Sequence, residues 1–184
     1  FSSRRRHTRC AIKSRGLGDV YKRQLYPNLG VVRIDVERSF VIADIPGLIE
    51  GAAEGTGLGI QFLKHLQRTR LLLHLVDLAP LALDIDPVAQ VRQLEQEMQK
   101  FDAGLMEKPR WLVFTKADLM PPGEAEEKAR EAAEELGWKA PWMLISSVTH
   151  SGTQELMQQV SDELEKIDEE EQQALALEEA DLPM

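Results

Sequence analysis

Two long apolar runs constrain the fold of this 184-residue chain more than any other feature. Leu71–Asp77 reads LLLHLVD and Arg110–Thr115 reads RWLVFT, and neither run alternates between apolar and polar residues. A strand with one solvent face would alternate, so these runs indicate strands that are covered on both faces. Between them, Pro87–Phe101 has the pattern of a helix. A strand, a helix and a strand in this order predict a parallel sheet with helices on both faces.

The segments on either side continue this alternation. Two β-prone runs, at 31–36 and Ser39–Asp44, predict an opening hairpin. The remaining predicted elements are a glycine-rich loop at 47–59, an amphipathic helix at 60–70, a helix at 124–136 ended by Gly137, a strand at 142–146 and a helix at 153–167. The pattern is that of one α/β domain.

Residues 1–24 differ from the rest in charge and in pattern. They carry eight Lys or Arg residues against one acid, Asp19, although the whole chain has a net charge of −9. They show no helical or alternating apolar pattern, and SRGLGDVYKRQ at 14–24 resembles the translation of a transposon-type sequencing adapter. We therefore interpret 1–24 as a non-native, irregular segment rather than a basic nucleic-acid-binding arm, and we expect no sequence-specific DNA binding.

The domain itself is predicted at 25–167. The segment 168–184 is an acidic tail, which is either a frayed helical extension or disordered.

The composition and the lengths of the apolar runs indicate the cellular compartment of the protein. No apolar run approaches the roughly 18 residues that a membrane-spanning helix needs, and no apolar signal-peptide core follows the basic first residues. The single cysteine, Cys10, cannot form an internal disulfide, which favours a reducing environment. We expect a cytoplasmic protein with no membrane contact.

A first candidate motif, Asp44-Ile45-Pro46-Gly47, lies where a predicted strand gives way to the glycine-rich loop. Asp–x–x–Gly is a signature of nucleotide switches. Its carboxylate reaches a magnesium ion through water, and its glycine amide approaches the γ-phosphate because no side chain intervenes. Alone, the pattern is weak evidence, since an aspartate that ends a strand often has a turn glycine nearby.

A second motif, Thr115-Lys116-Ala117-Asp118, ends the strand RWLVFT and matches the [Asn/Thr]–Lys–x–Asp signature of guanine recognition. The aspartate accepts hydrogen bonds from two adjacent donors on guanine, a pair that adenine does not present, so an unpaired acceptor rejects the wrong base. The lysine stem can lie against the base, and Thr115 can hydrogen-bond nearby. The plain alternative is an exposed ion pair in a loop, worth about 0–1 kcal/mol.

A third motif, Ser146-Ser147-Val148, ends the last predicted strand, where GTPases place a Ser–Ala–x-like loop against the guanine carbonyl. Alone it is equally typical of an ordinary strand-to-helix turn. The three motifs occur in the expected order, each at the carboxyl end of a predicted strand, where open α/β sheets bind ligands. Together they favour a nucleotide site.

Over 25–167 the chain resembles the Obg subfamily of translation-factor-related GTPases, most distinctively in DIPGLIEGAAEG and KPRWLVF. The resemblance implies a Ras-like P-loop GTPase fold, with a mixed, mostly parallel sheet and helices on both faces. It also implies GTP or GDP as ligand, Mg²⁺ as cofactor, slow GTP hydrolysis and a role at the large ribosomal subunit during its assembly.

Two residues depart from familiar patterns. Thr115 stands where Obg proteins usually carry Asn, although other small GTPases use Thr there. Leu48 follows Gly47, where Ras-type enzymes keep the glutamine that positions the attacking water. An apolar residue is normal for the Obg group at this place, so we name no general base.

The larger departure is the phosphate-binding loop. A Gly–x–x–x–x–Gly–Lys–[Ser/Thr] motif should precede Pro27, and 1–26 contains none. The family's magnesium-binding switch threonine would fall at Gln24, so Leu25 and Tyr26 are all that remain of that nucleotide-contacting loop. We expect a domain truncated of its first strand, phosphate loop and first helix, and inactive as a GTPase. That first strand would separate the strand ending at Asp44 from the one beginning at Leu71.

Two other functions stay open at this point. One is a non-catalytic remnant that binds nucleotide weakly, or binds a protein partner through its acidic face. The other is an unrelated doubly wound domain such as a phosphoacceptor receiver, which would need an acidic cluster after its first strand. We interpret His74 as a hydrogen-bonded core residue, and we do not expect Asp77 to line the site.

Overall fold

The structure, a computed structural model, describes residues 9–13, 28–44, 67–79, 86–121 and 123–180. These residues form a six-stranded sheet in the order β2-β3-β1-β4-β5-β6. The strands are β1 (Arg9–Lys13), β2 (Asn28–Arg33), β3 (Ser39–Asp44), β4 (Leu71–Asp77), β5 (Arg110–Thr115) and β6 (Trp142–Leu144). β2 and β3 are antiparallel, and the other neighbouring pairs are parallel. The mixed, mostly parallel sheet of the predicted α/β class is therefore present.

β1 corrects one prediction. Residues 1–24 were expected to be irregular, yet Arg9–Lys13 is a strand in the middle of the sheet. Its Ala11 is in register with Ala43 of β3 and with Leu72 of β4. The prediction that a strand position separates β3 from β4 is confirmed. That position was expected to lack its strand, whereas β1 occupies it. The physical reason is that a β ladder needs only backbone donors and acceptors. In addition, the two charged residues of RCAIK, Arg9 and Lys13, stand at its ends, and the three residues between them are uncharged.

The hairpin of β2 and β3 is present, with its first strand three residues earlier than predicted. The chain leaves β2 at Arg33 because a tight turn follows it. In this turn the Asp35 carboxylate accepts hydrogen bonds from the Glu37 and Arg38 amides at 2.9 and 2.7 Å, and from the Arg38 guanidinium at 2.7 Å. The Arg38 side chain, followed by the two amides, lowers the pKa of Asp35 to about 2.

Helices cover both faces of the sheet. They are α1 (Pro87–Phe101), α2 (Glu124–Glu135) and α3 (Thr153–Ala180). On one face, residues of α3 pack against the sheet in a cluster of Phe40, Leu71, Leu73, Trp111, Val113, Ile145, Leu156, Val160 and Leu164. On the other face, α1 and α2 contribute to a cluster of Val76, Leu78, Val88, Val91, Leu112, Phe114, Ala125, Ala129 and Ala132. β4 and β5 supply residues to both clusters, which is why apolar residues on these strands do not alternate with polar ones.

Several local predictions are confirmed. α1 has its predicted bounds, and the Asp86 carboxylate caps its start by accepting hydrogen bonds from the Val88 and Ala89 amides. Gly137, just after α2, has a φ of +62°, the left-handed conformation expected of a glycine that ends a helix. His74 is buried at 3 % exposure, which confirms its predicted place in the core, and its ring lies 6.1 Å from that of Trp138; its predicted hydrogen bond stays a prediction.

Boundaries elsewhere also differ from the predictions. β6 ends at Leu144 instead of residue 146, because the Ser146 amide donates to the Ser151 carbonyl and the chain turns. α3 continues from the predicted end at 167 through much of the acidic tail to Ala180. Arg70 fixes this extension by contacting Asp168 and Glu171. The predicted loop at 47–59, and residues 60–66 of the predicted helix at 60–70, lie outside the described residues.

Within the described ranges, no helix is both long enough and apolar enough to cross a membrane.

The position of β1 generates a stability prediction. Removing residues 1–13 deprives β3 and β4 of their shared ladder partner, whereas removing residues 1–8 leaves that strand in place. Each lost backbone hydrogen bond costs about 1 kcal/mol, and each kcal/mol lowers the melting temperature of a domain of this size by about 2–4 °C. We therefore expect the shorter chain to melt about 10 °C or more below the longer one in circular dichroism. Equal melting temperatures would show that β1 contributes no stability.

Candidate functional site

The candidate site lies at one edge of the sheet, where three parallel strands end. β4 ends at Asp77, β5 ends at Thr115, and Ser146 follows shortly after β6. Asp77 and Thr115 are in direct register. Because carboxyl ends of parallel strands share an edge, residues far apart in sequence meet there.

The backbones of β4 and β5 are tied together at this edge. The Leu78 amide donates to the Thr115 carbonyl at 3.3 Å, and the Thr115 hydroxyl donates to the Val76 carbonyl at 3.2 Å. Thr115 thus links β5 to the end of β4 by hydrogen bonds. This structural role does not require Thr115 to contact a ligand.

Lys116 has an unusual backbone conformation. Its φ is +65° and its ψ is +34°, the left-handed region that a residue with a side chain seldom adopts. The next amide, that of Ala117, donates to the Ile145 carbonyl at 3.3 Å and so joins this turn to the end of β6. The Lys116 ammonium lies 2.6 Å from Asp77 Oδ2.

Asp77 was not expected to line the site, yet the structure places its carboxylate against Lys116, one of the predicted site residues. A signal was available in the sequence. Asp77 and Thr115 both end apolar strands covered on two faces, and such strands pair in parallel with their carboxyl ends level.

Asp118 and Ser146 form the second polar pair of the site. Ser146 is buried at 1 % exposure, and its hydroxyl donates to Asp118 Oδ1 at 2.5 Å. The same hydroxyl oxygen accepts from the Thr149 amide at 3.1 Å. Ser146 thereby connects the turn after β5 with the turn after β6. Ser147 and Val148 instead lie exposed in that second turn, the valine at 76 %.

Gly152 closes the turn that carries Ser146. Its φ is +70°, and a Cβ at this position would lie 2.4 Å from the Leu144 carbonyl oxygen. No side chain fits there without moving the backbone, so the return of the chain past β6 requires glycine.

Asp44 ends β3 at the same edge but away from the cluster. Two strands, β1 and β4, separate β3 from β5 in the sheet. The Asp44 side chain is exposed, and the residue pairs with Ile12 of β1. The other predicted members of the site, Leu25, Tyr26, Ile45, Pro46 and Gly47, lie outside the described residues.

The described residues contain no group of three or more His, Cys, Asp or Glu side chains arranged to hold a metal ion. A single exposed carboxylate at a strand end, such as that of Asp44, suits the outer sphere of a hydrated Mg²⁺ ion, which keeps several of its waters in proteins. It does not form an all-protein cage.

Comparison with protein families gives a match over residues 18–116 to a model described as 50S ribosome-binding GTPase. The match includes β2 to β5 and ends at Lys116.

Comparison with solved structures identifies the fold. A variant of Era from Aquifex aeolicus bound to GDP·AlF4⁻ superposes with a TM-score of 0.57 at 15% identity, over 84% of this chain and 56% of that one. Era in complex with MgGDPNP and nucleotides 1506–1542 of 16S ribosomal RNA gives 0.57 at 16%, with the same coverage. A variant of SsGBP gives 0.61 at 12%, over 87% and 57%. The chain thus spans a little over half the length of these structures and has the Ras-like P-loop GTPase fold.

Gly152 allows a test of the site's architecture with a matched control. Gly152→Ala and Gly137→Ala both place a side chain at a similar positive φ, but the space around Gly137 is open. We expect Gly137→Ala to cost about 1–2 kcal/mol from backbone strain. Gly152→Ala should cost about 3 kcal/mol or more, because the clash with the Leu144 carbonyl adds to that strain. Urea unfolding measures both. Equal losses would mean that the turn after β6 is not tightly closed.

Proposed function

This chain belongs to the 50S ribosome-binding GTPase family, and from that premise we propose that it is the GTP-binding domain of an Obg-type GTPase acting in assembly of the large ribosomal subunit. GTPase function follows from the family, and the family's description names the 50S subunit. The proposed Obg membership rests on the sequence segments DIPGLIEGAAEG and KPRWLVF. We place the protein in the cytoplasm, where it would meet assembling ribosomes.

The observation that supports guanine recognition is that Asp118, Ser146 and Lys116 lie at the same edge of the sheet. In our proposal the Asp118 carboxylate accepts from the ring N–H and the exocyclic amine of guanine. The Ser146 hydroxyl, bonded to Oδ1 at 2.5 Å, orients that carboxylate. Adenine does not present this donor pair, so its binding would leave a desolvated carboxylate unpaired.

Lys116 and the turn after β6 complete the proposed base pocket. The stem of Lys116 would lie against the face of the base. Ser146, Ser147 and Val148 would bring the second turn towards the guanine carbonyl. Two connections between the turns favour this shape, the Ser146 to Asp118 hydrogen bond and the Ala117 amide bonded to the Ile145 carbonyl at 3.3 Å.

The phosphate end of the site is proposed from sequence. Asp44, Ile45, Pro46 and Gly47 would form the switch motif, with Leu25 and Tyr26 beside the nucleotide. Mg²⁺, when bound, would neutralise phosphate charge, and Asp44 would hold one of its waters. The Gly47 amide would approach the terminal phosphate.

We further propose that the 184-residue chain hydrolyses GTP poorly and binds it weakly. It contains no Gly-Lys dipeptide and therefore no Gly–x–x–x–x–Gly–Lys–[Ser/Thr] loop. Loop amides and that lysine supply much of the phosphate affinity in such sites. Leu48 replaces a water-positioning glutamine, which is consistent with slow hydrolysis in the parent enzyme.

A second candidate function is a non-catalytic remnant that binds nucleotide or a protein partner. The observation favouring it is the long α3, which carries Asp168, Glu169, Glu170 and Glu171 on its extension beyond the packed core. A remnant that acts only on a protein partner would show no guanine preference, which separates it from the leading proposal.

Asp118→Asn tests the proposed recognition. We expect the intact chain to prefer GDP over ADP, with a dissociation constant well above the nanomolar range. The substitution should remove about 10-fold to 100-fold of that preference, because each hydrogen bond to a charged group contributes about 1.5–3 kcal/mol. Displacement of a fluorescent GDP analogue by unlabelled GDP and ADP measures it.

Asp162→Asn is the matched control, since this exposed aspartate lies on α3 and contacts Arg38 rather than the candidate site. It should leave the preference unchanged. An Asp118→Asn chain that still prefers GDP would refute the assignment, and nanomolar binding by the intact chain would refute the proposal of weak phosphate contacts.

A further inference from the structure

Asp77 is held at both of its carboxylate oxygens. Oδ1 accepts a hydrogen bond from the Ala79 amide at 3.0 Å, and Oδ2 lies 2.6 Å from the Lys116 ammonium. The Asp77 side chain is 19 % exposed, whereas that of Lys116 is 42 % exposed. The aspartate is thus the more enclosed partner of the pair, held at both oxygens, and the lysine is the more exposed one.

The backbone around this pair is fixed independently of the side chains. Thr115 is in register with Asp77, and its carbonyl and hydroxyl bind Leu78 and Val76 on either side of Asp77. The distance between the Asp77 and Lys116 backbones is therefore set by the β4–β5 ladder. A long lysine side chain leaving a left-handed residue has many rotamers, and the carboxylate selects among them.

We propose that Asp77 is a positioning residue for guanine recognition, holding Lys116 so that its stem is pre-arranged against the face of the base. This inference rests on the proposed function, because it concerns the same pocket. Asp77 acts on the nucleotide only through Lys116. An ion pair that merely joined two strand ends would stabilise the fold without any coupling to the base.

A double-mutant cycle separates these two roles. Asp77→Asn keeps the size of the side chain and an oxygen that accepts from the Ala79 amide, but it removes the charge that holds the ammonium. Lys116→Ala removes the side chain that Asp77 is proposed to position. The affinity of the full 184-residue chain for a fluorescent GDP analogue is measured for both single variants and the double variant, together with their melting temperatures.

We expect Asp77→Asn alone to weaken GDP binding about two- to fivefold, the range of a partly exposed ion pair. In the Lys116→Ala background the same substitution should have no further effect. Asp77→Ser, whose hydroxyl can also accept from the Ala79 amide, repeats the cycle if the asparagine variant is unstable. Glu95→Gln is the matched control, since it breaks the 2.7 Å pair with Arg110 at the opposite end of β5 and should leave GDP affinity unchanged.

Unchanged GDP affinity in Asp77→Asn, or an equal loss with and without the Lys116 side chain, would overturn the positioning role while leaving guanine recognition intact. A full chain that binds GDP and ADP equally would overturn the proposed function and this role with it.

Discussion

The parallel pairing of β4 with β5 is the constraint on which the rest of the structure depends. Both strands are buried on both faces, so neither can slide or turn over without exposing apolar side chains. Their register sets Asp77 beside Thr115 and carries Lys116, Ala117 and Asp118 past the end of the sheet. The chemistry of the candidate site is therefore a consequence of packing in the core.

The candidate site contains a strained residue, Lys116, which adopts a left-handed backbone. Gly152 adopts a similar backbone without strain, at a position where no side chain fits. A strained conformation such as that of Lys116 persists only when surrounding contacts fix it. Here the contacts are the Ala117 amide on the Ile145 carbonyl and the Ser146 hydroxyl on Asp118. The two turns thus hold each other in place.

Much of the fold could be predicted because its signals are local. β3, β4, β5 and α1 have their predicted bounds, since β-prone and apolar runs mark the strands and a helical pattern marks α1. What failed depends on distant partners. Arg9–Lys13 becomes a strand only because two strands flank it, and α3 lengthens where Arg70 meets its acidic residues. In the site, the order of the motifs predicts that Asp118 and Ser146 lie at the same edge of the sheet but not that they are hydrogen-bonded. The contact of Asp77 with Lys116 follows only when β4 and β5 are taken as parallel neighbours.

Guanine binding at this edge of the sheet is tested by the change in backbone amide NMR shifts when GDP is added to the full chain. If the edge formed by β4, β5 and β6 binds guanine, the largest changes fall on Thr115, Lys116, Ala117, Asp118 and the turn from Ser146 to Gly152, and ADP causes much smaller ones. Changes of equal size with ADP, or changes confined to residues outside these turns, would rule out guanine recognition at this edge.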